Sequence, residues 1–278
     1  MTDSDGIRFL QWGLPRLGFR WPGFRKVRRQ IYKRLDHRLK VLHLADLAAY
    51  RAYLEGHASE WDQLDALCRI SISRFYRDKG VFQYLERDVL PALARLATGC
   101  GQTTLACWSL GCAAGEEPYT VAILWRLRVA PHFPHLRCQI LATDADGEAI
   151  QRAERGCYQA SSLKDLPPDW IAEAFTHAPD GFRVKPEYRA LVSFQQQDVR
   201  TALPQDHFHI VLCRNVAFTY FDETTQRQTL ERIQSRLWPG GALVVGSTES
   251  LPAEPRGFEP WAARWRVYRR QTTAGEGP

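Results

Sequence analysis

The 278-residue chain is 45% hydrophobic and 24% charged, which excludes a disordered or collagen-like polypeptide and suffices for a sizeable core. No run approaches the roughly 18 uninterrupted apolar residues of a membrane span, and the start, MTDSDGIRFLQWG, lacks a basic-then-apolar leader, so a cytoplasmic protein without membrane insertion is expected. The net charge of +6 is uneven: residues 1–54 carry 12 Lys and Arg against 4 Asp and Glu, the remainder 25 against 27, and such a basic N-terminal segment points to an acidic partner, whether nucleic acid, a membrane surface or a protein face.

In chain order, residues 25–43 read as an amphipathic helix. Ile31, Leu35, Leu39 and Leu42 form one apolar stripe. Arg29, Lys33, His37 and Lys40 recur at the same spacings on the opposite side. Pro22 and Gly23 sit just ahead as helix breakers. The basic stripe is either a solvated face or, because its charge is of one sign, a docking surface. Further helices are expected over 45–55 and 58–70.

From residue 104 strands and helices alternate. A strand at Leu105–Ser109 leads into the turn Gly111-Cys112-Ala113-Ala114-Gly115 and a helix over 117–129. A strand over 139–143 ends on Asp144, followed by a helix over 146–155 closed by Gly156. Another strand covers His209–Cys213, then a helix over 222–237, a sharp turn at Pro239-Gly240-Gly241 and a strand over 242–245. The run Trp261 to Tyr268 suits one antiparallel edge strand, with Trp261 and Trp265 on the same face. Residues 157–192 break the rhythm and read as an insertion with a short helix and a hairpin strand at 181–184. The expected organisation is a helical N-terminal domain over 1–90, an α/β domain with a mostly parallel sheet over 91–270, and a frayed tail over 271–278.

The chemistry concentrates at strand ends. In Gly111-Cys112-Ala113-Ala114-Gly115-Glu116-Glu117, glycines permit close backbone approach to a ligand, while two glutamates at the helix start disfavour phosphate and favour a cationic group. The pattern is neither GxGxxG nor a Walker loop. Asp144, at the end of the next strand, suits the two hydroxyls of a ribose. Together these describe a nucleoside with a cationic tail, S-adenosylmethionine.

These blocks occur with Ser71-Ile72-Ser73-Arg74-Phe75-Tyr76-Arg77, Asp198-Val199, Cys213-Arg214-Asn215-Val216-Ala217-Phe218-Thr219-Tyr220-Phe221-Asp222 and Gly246-Ser247-Thr248-Glu249-Ser250. The set, in this order over about residues 25–269, resembles the CheR family of chemoreceptor glutamate methyltransferases. The resemblance implies a Rossmann-like methyltransferase sheet with a small N-terminal helical domain and an inserted β subdomain. It implies that Ser71, Ser73 and Arg77 close over the cofactor, that Gly111 belongs to the cofactor loop, and that Glu117 holds the amino group. It further assigns Asp144 to the ribose, Asp198 and Val199 to the adenine edge, and Arg214 and Asn215 to the methionine end. Arg77 and Tyr220 match the pair nearest the transferred methyl. The implied partner is the acidic cytoplasmic helices of a chemoreceptor, which would dock on the basic stripe; stable nucleic-acid binding is not expected.

The chain departs from the family pattern at several points. Serines stand at 71 and 73 in place of asparagine and threonine, and Asp198 replaces an asparagine. Four residues separate Asn215 from Tyr220, where three are typical. The N-terminal region also begins differently, around Trp12 and Trp21. A methyltransferase of the same fold acting on another carboxylate or a small molecule, and a non-catalytic cofactor-binding module, are the alternatives.

Other features have plainer expectations. Seven cysteines without a CxxC pair read as reduced thiols, and Cys112 as a small residue fitting a tight turn. His207 and His209 lack the spacing of a metal site. Trp108, Trp125 and Trp238 are expected in the core, Asp165 and Asp169 on the surface.

Overall fold

The computed structural model describes residues 2–253 and 255–272. The chain forms two compact units: the residues up to Ile70 with Thr219–Arg227, and Ser71–Phe218 with Gln228 onward. The expected boundary between residues 90 and 91 thus falls earlier in the chain. Phe75, Val81, Phe82, Leu85 and Val89 are buried in the same core as the strands, which carries 71–90 into the second unit. Of the expected tail, residues 273–278 lie outside the described residues.

The first unit contains α1 (Asp3–Gly13), α2 (Trp21–Phe24), α3 (Arg28–Val41), α4 (Leu47–Gly56) and α5 (Glu60–Cys68). Sequence reading did not anticipate α1. Its start is marked by Thr2, whose hydroxyl accepts from the Asp5 N–H at 3.2 Å, and by acids in the first turn that suit the positive helix end. Pro22 and Gly23 lie ahead of α3, as expected, but within a short helix of their own, α2; proline fits a first helical turn because no N–H is required there. In α3, Ile31, Leu35 and Leu39 are buried, and Arg29, Lys33, His37 and Lys40 are exposed. Arg38 reaches off this helix to grip Glu60 with two hydrogen bonds of 2.9 and 2.6 Å, and the Tyr50 hydroxyl donates to the same carboxylate at 2.7 Å. The carboxylate is buried, and its hydrogen bonds, that from Arg38 first, hold it below the usual range against the opposing effect of burial; three helices are fastened at this point.

The second unit begins with α6 (Lys79–Tyr84) and α7 (Leu90–Gly99), then β1 (Thr104–Leu110), α8 (Glu116–Leu124), β2 (Arg137–Asp144) and α9 (Gly147–Arg155). The helix expected over 117–129 continues past α8 as a wider π turn over Trp125–Val129. The insertion follows as β3 (Cys157–Tyr158), α10 (Ala160–Leu163), α11 (Pro168–Ala174), β4 (Phe175–Ala178), β5 (Gly181–Val184) and α12 (Pro186–Arg189). Its strands form a separate antiparallel sheet ordered β3-β5-β4. The chain then supplies β6 (Val192–Gln196), β7 (Phe208–Cys213), α13 (Ala217–Tyr220), α14 (Glu223–Arg236), β8 (Leu237–Val245), β9 (Phe258–Ala262) and β10 (Val267–Arg270).

The main sheet runs β6-β2-β1-β7-β8-β10-β9, with the first five strands parallel and the last two antiparallel. Strand order reverses between β1 and β7, the switch point outside whose carboxyl ends ligands bind in such sheets. β7 is buried along its whole length, as parallel central strands are.

Pro239-Gly240-Gly241 does not precede a strand but lies within β8. Phe208 pairs with Leu237 and Ile210 with Ala242, so Trp238–Gly241 stand opposite His209 alone. The His209 side chain is used on the other side of β7, where its Nδ1 accepts the Ala106 N–H of β1 at 3.0 Å. Trp238 is only partly buried, against His207 with ring centroids 5.2 Å apart, whereas Trp108 and Trp125 are buried as expected. The Trp261–Tyr268 run is a hairpin, not one strand. Ala263–Trp265 form a 3-10 turn and Arg266 adopts a left-handed φ of 55°, so Trp261 and Trp265 do not share a strand face.

Candidate active site

The carboxyl ends of β1, β2 and β7 bring most of the expected residues of the second unit together. After β1 the chain turns through Gly111, whose φ is +73° and where a Cβ would come within 2.3 Å of the Val216 side chain. The Gly111 and Cys112 N–H groups both donate to the Thr143 carbonyl, at 2.8 and 3.0 Å. Asp144 completes this seam. One carboxylate oxygen accepts from the Ala113 N–H and the other from the Asp146 N–H, each at 2.9 Å. Ala113 sits at a strained φ of +50°, and the Asp144 bond is what holds it there. Asp144 thereby fixes the loop it shares a site with, and its carboxylate is presented in one orientation.

Asp146 continues the chain of contacts. It caps α9 by accepting from the Glu148 and Ala149 N–H groups, and its second oxygen accepts from the Ser71 hydroxyl at 2.9 Å. Ser71 is therefore linked to the end of β2. Ser73 and Arg77 are partly buried; Arg77 donates to the Ile72 carbonyl at 3.3 Å.

Glu117, in the first turn of α8, accepts from the Ser109 hydroxyl at 2.8 Å and from Arg214 Nη1 at 3.1 Å. The Arg214 side chain is 3% exposed. Its Nη2 donates to Asp78 at 2.7 Å and to the Arg77 carbonyl at 2.9 Å, and its guanidinium carbon lies 5.0 Å from the centre of the Phe82 ring. Two carboxylates against one guanidinium leave this cluster with one net negative charge. Burial also pushes the Cys112 thiol well above its usual range, with Asp144 and Glu117 adding to the effect, so this cysteine is an inert filler of the turn. Burial raises the neighbouring Glu116 carboxyl too, and its Oε2 has no hydrogen-bond partner among the described residues.

After β7, Asn215 adopts a left-handed φ of +58°. Sequence reading missed the residue that supports it. Glu249, 3% exposed, accepts from the Asn215 N–H at 2.8 Å and from the Gly246 N–H at 2.5 Å. It lies in the run Gly246–Ser250, four residues beyond the end of β8. Asp78 was likewise passed over although it adjoins Arg77. Asp198, beyond β6, accepts both arms of the Arg200 guanidinium, the shortest contact being 2.6 Å, so the expected adenine-edge carboxylate is already ion-paired. Val199 is buried and its carbonyl accepts from Arg232 at 2.8 Å.

Tyr220 belongs to the first unit, where its ring packs 4.9 Å from that of Phe24. The stripe Arg29, Lys33, His37 and Lys40 is in the same unit, on the exposed side of α3. Of the plainer expectations, Asp165 pairs with Arg74 and Asp169 faces Arg128 at 3.6 Å, and all seven cysteines are free thiols.

A parallel sheet with a glycine turn after β1, an oriented acid at the end of β2 and a net-negative cluster behind the turn defines a methyltransferase that binds S-adenosylmethionine. The glycine at 111 has no room for a side chain, and the single negative charge complements a cationic methionine end, so the residues fit that cofactor. Residues 71–267 match the family described as "CheR methyltransferase, SAM binding domain", and the chain belongs to that family. It is 31% identical over 200 residues to a chemotaxis protein methyltransferase of Listeria innocua, covering 72% of each chain. It is 32% identical over 240 residues to one of Klebsiella aerogenes, covering 83% of this chain and 78% of that one. A 104.1 kDa protein of Rhodobacter capsulatus is 30% identical over 241 residues, but this chain spans only 25% of its length. No helix among the described residues is long and apolar enough to cross a membrane.

Proposed function

We propose that this protein transfers methyl from S-adenosylmethionine to glutamate carboxylates of a protein, the acidic cytoplasmic helices of a chemoreceptor. The observation that carries the reading is the one-signed stripe on α3: Arg29, Lys33, His37 and Lys40 are all exposed, and none makes an ion pair among the described residues. An acidic helix is its natural complement. The names of the Listeria and Klebsiella relatives support the same substrate class.

When bound, the cofactor supplies an electrophilic methyl on a sulfonium. Glu117 would hold its amino group and Asp144 its ribose hydroxyls, with Gly111 giving the backbone room to approach. Asp198 and Val199 would meet the adenine edge, and Asn215 the methionine end. Arg214 would act there through Glu117, whose carboxylate it orients. Ser71, Ser73 and Arg77 would close over the cofactor, Arg77 fixing the acceptor carboxylate and Tyr220 orienting the methyl-bearing end. A glutamate is already ionised near pH 7, about three units above its usual pKa of ~4.3, so no strong general base is needed. The contribution of the protein is alignment and exclusion of water, worth on the order of 7–11 kcal/mol in well-oriented reactions.

Incubation with methyl-labelled cofactor and receptor-bearing membranes tests this directly. Label in the receptor band, released as methanol by mild alkali, identifies a carboxylate methyl ester. Label resistant to alkali, or confined to small molecules, overturns the reading.

A further inference from the structure

We propose that the N-terminal segment Gly18–Phe24 is a positioning element for Tyr220, fixing by tertiary contacts the short stretch of backbone that carries its side chain. The inference rests on the proposed role of Tyr220 at the methyl-bearing end.

The last carbonyls of any helix have no partner inside it, and the one-turn α13 ends on Thr219 and Tyr220. In this protein residues 18–24 supply partners. The Arg20 N–H donates to the Tyr220 carbonyl at 2.8 Å, and Arg20 Nε to the Thr219 carbonyl at 3.1 Å. The Asp222 N–H donates back to the Gly18 carbonyl at 2.8 Å, and Phe19 and Phe221 form an antiparallel bridge. The Phe24 ring lies 4.9 Å from the Tyr220 ring, and the Phe19 ring 5.8 Å from that of Phe221. The approach is closest at Gly23. A Cβ there would stand 2.3 Å from the Thr219 carbonyl oxygen and 3.2 Å from the Tyr220 Cα, both of them backbone atoms that cannot swing aside. Glycine at 23 is thus required by the backbone that carries Tyr220 and not by its own conformation.

The test is a double-mutant cycle of Gly23→Ala and Tyr220→Phe, read as methyl transfer to receptor-bearing membranes and as calorimetric affinity for S-adenosylhomocysteine. Tyr220→Phe should lower kcat at least tenfold. Gly23→Ala should lower kcat by a comparable factor with affinity for S-adenosylhomocysteine within twofold of the parent. In the Tyr220→Phe background it should cost less than a further twofold. A milder variant, Arg20→Ala, keeps the backbone contact and should lower kcat about threefold at unchanged thermal stability, which serves if Gly23→Ala does not fold. Full activity in Tyr220→Phe overturns the role of Tyr220 and the proposal with it. A tenfold loss in Tyr220→Phe combined with full activity in Gly23→Ala or, if that does not fold, in Arg20→Ala, overturns the positioning proposal alone. So does a Gly23→Ala loss that persists undiminished in the Tyr220→Phe background.

Discussion

Arg214 donates to Glu117, 97 positions away in the chain, at 3.1 Å and from a side chain that is 3% exposed. Replacing it strands two carboxylates, since Asp78 loses the same partner. Breaking a buried pair from one side costs roughly 3–5 kcal/mol. Arg214→Ala should therefore lower the free energy of urea unfolding by roughly 3–5 kcal/mol, whereas Glu117→Gln, whose carbonyl can still accept from Arg214 while its amide donates to the Ser109 hydroxyl, should cost about 1 kcal/mol in stability. An Arg214→Ala protein as stable as the parent would show that the cluster is not a fastening.

Asp144→Ala should weaken binding of S-adenosylhomocysteine at least tenfold, since losing a partner of a charged, desolvated hydrogen bond costs roughly 2–5 kcal/mol. Part of the loss will come through the loop, because the Ala113 N–H loses its acceptor as well. Calorimetry giving an unchanged Kd would remove Asp144 from the cofactor site.

Arg77→Ala should lower turnover far more than affinity for the cofactor. Arg77→Lys should not restore it, as a point charge replaces a planar fork. Turnover within twofold of the parent in either variant would return Arg77 to a purely structural part.

His209 gives a pH dependence with a definite sign. Burial lowers its pKa from 6.5 to about 4, so the folded ring stays neutral while the unfolded ring takes up a proton below 6.5. Its contribution to stability is complete above that value and is lost as pH falls toward about 4. At about 1.36 kcal/mol per unit, the loss amounts to ~3 kcal/mol. His209→Gln keeps an acceptor for the Ala106 N–H and does not titrate. Urea unfolding at neutral pH and near pH 4.5 should show a smaller drop in the variant, by about 2–3 kcal/mol; equal drops would place the acid sensitivity elsewhere.

The double variant Arg29→Glu with Lys33→Glu should raise KM for a receptor substrate and leave cofactor affinity unchanged. The parent's KM should itself rise with salt, since exposed charges are screened within about 8 Å at physiological ionic strength. If KM does not move, the stripe is a solvated face. Micromolar binding of duplex DNA with a steep logarithmic salt slope would instead point to nucleic acid.

Much of the second unit was legible because its signals are local. The β1 turn, Asp144 at a strand end and Gly156 at a helix end each show in a few consecutive residues. What escaped depends on distant partners. Glu249 is an ordinary acid until the ends of β7 and β8 bring it under Asn215. The Pro-Gly-Gly run reads as a turn because nothing in the sequence says that β8 will run on through it, with a register shift against β7 between Phe208 and Ile210. The Trp261–Tyr268 alternation gave no warning of the left-handed Arg266, a conformation that sequence patterning seldom betrays outside glycine. In the first unit, α1 was overlooked because its buried positions include Gly6 and Gly13, which contribute nothing to an apolar count.

The first unit takes its closing piece, Thr219–Arg227, from a stretch of chain some 150 residues beyond Ile70. During synthesis α1 to α5 leave the ribosome long before the residues that bridge to Phe19 and Arg20 exist. Contacts of such sequence separation form late, since loop closure comes before they reward it. The aromatic faces of Phe19 and Phe24 are then open to solvent until most of the chain has been made. A fragment ending at Ile70 would carry the same exposed faces permanently, and aggregation of that fragment, cured by supplying residues 217–236 as a separate peptide, is the behaviour this connectivity imposes.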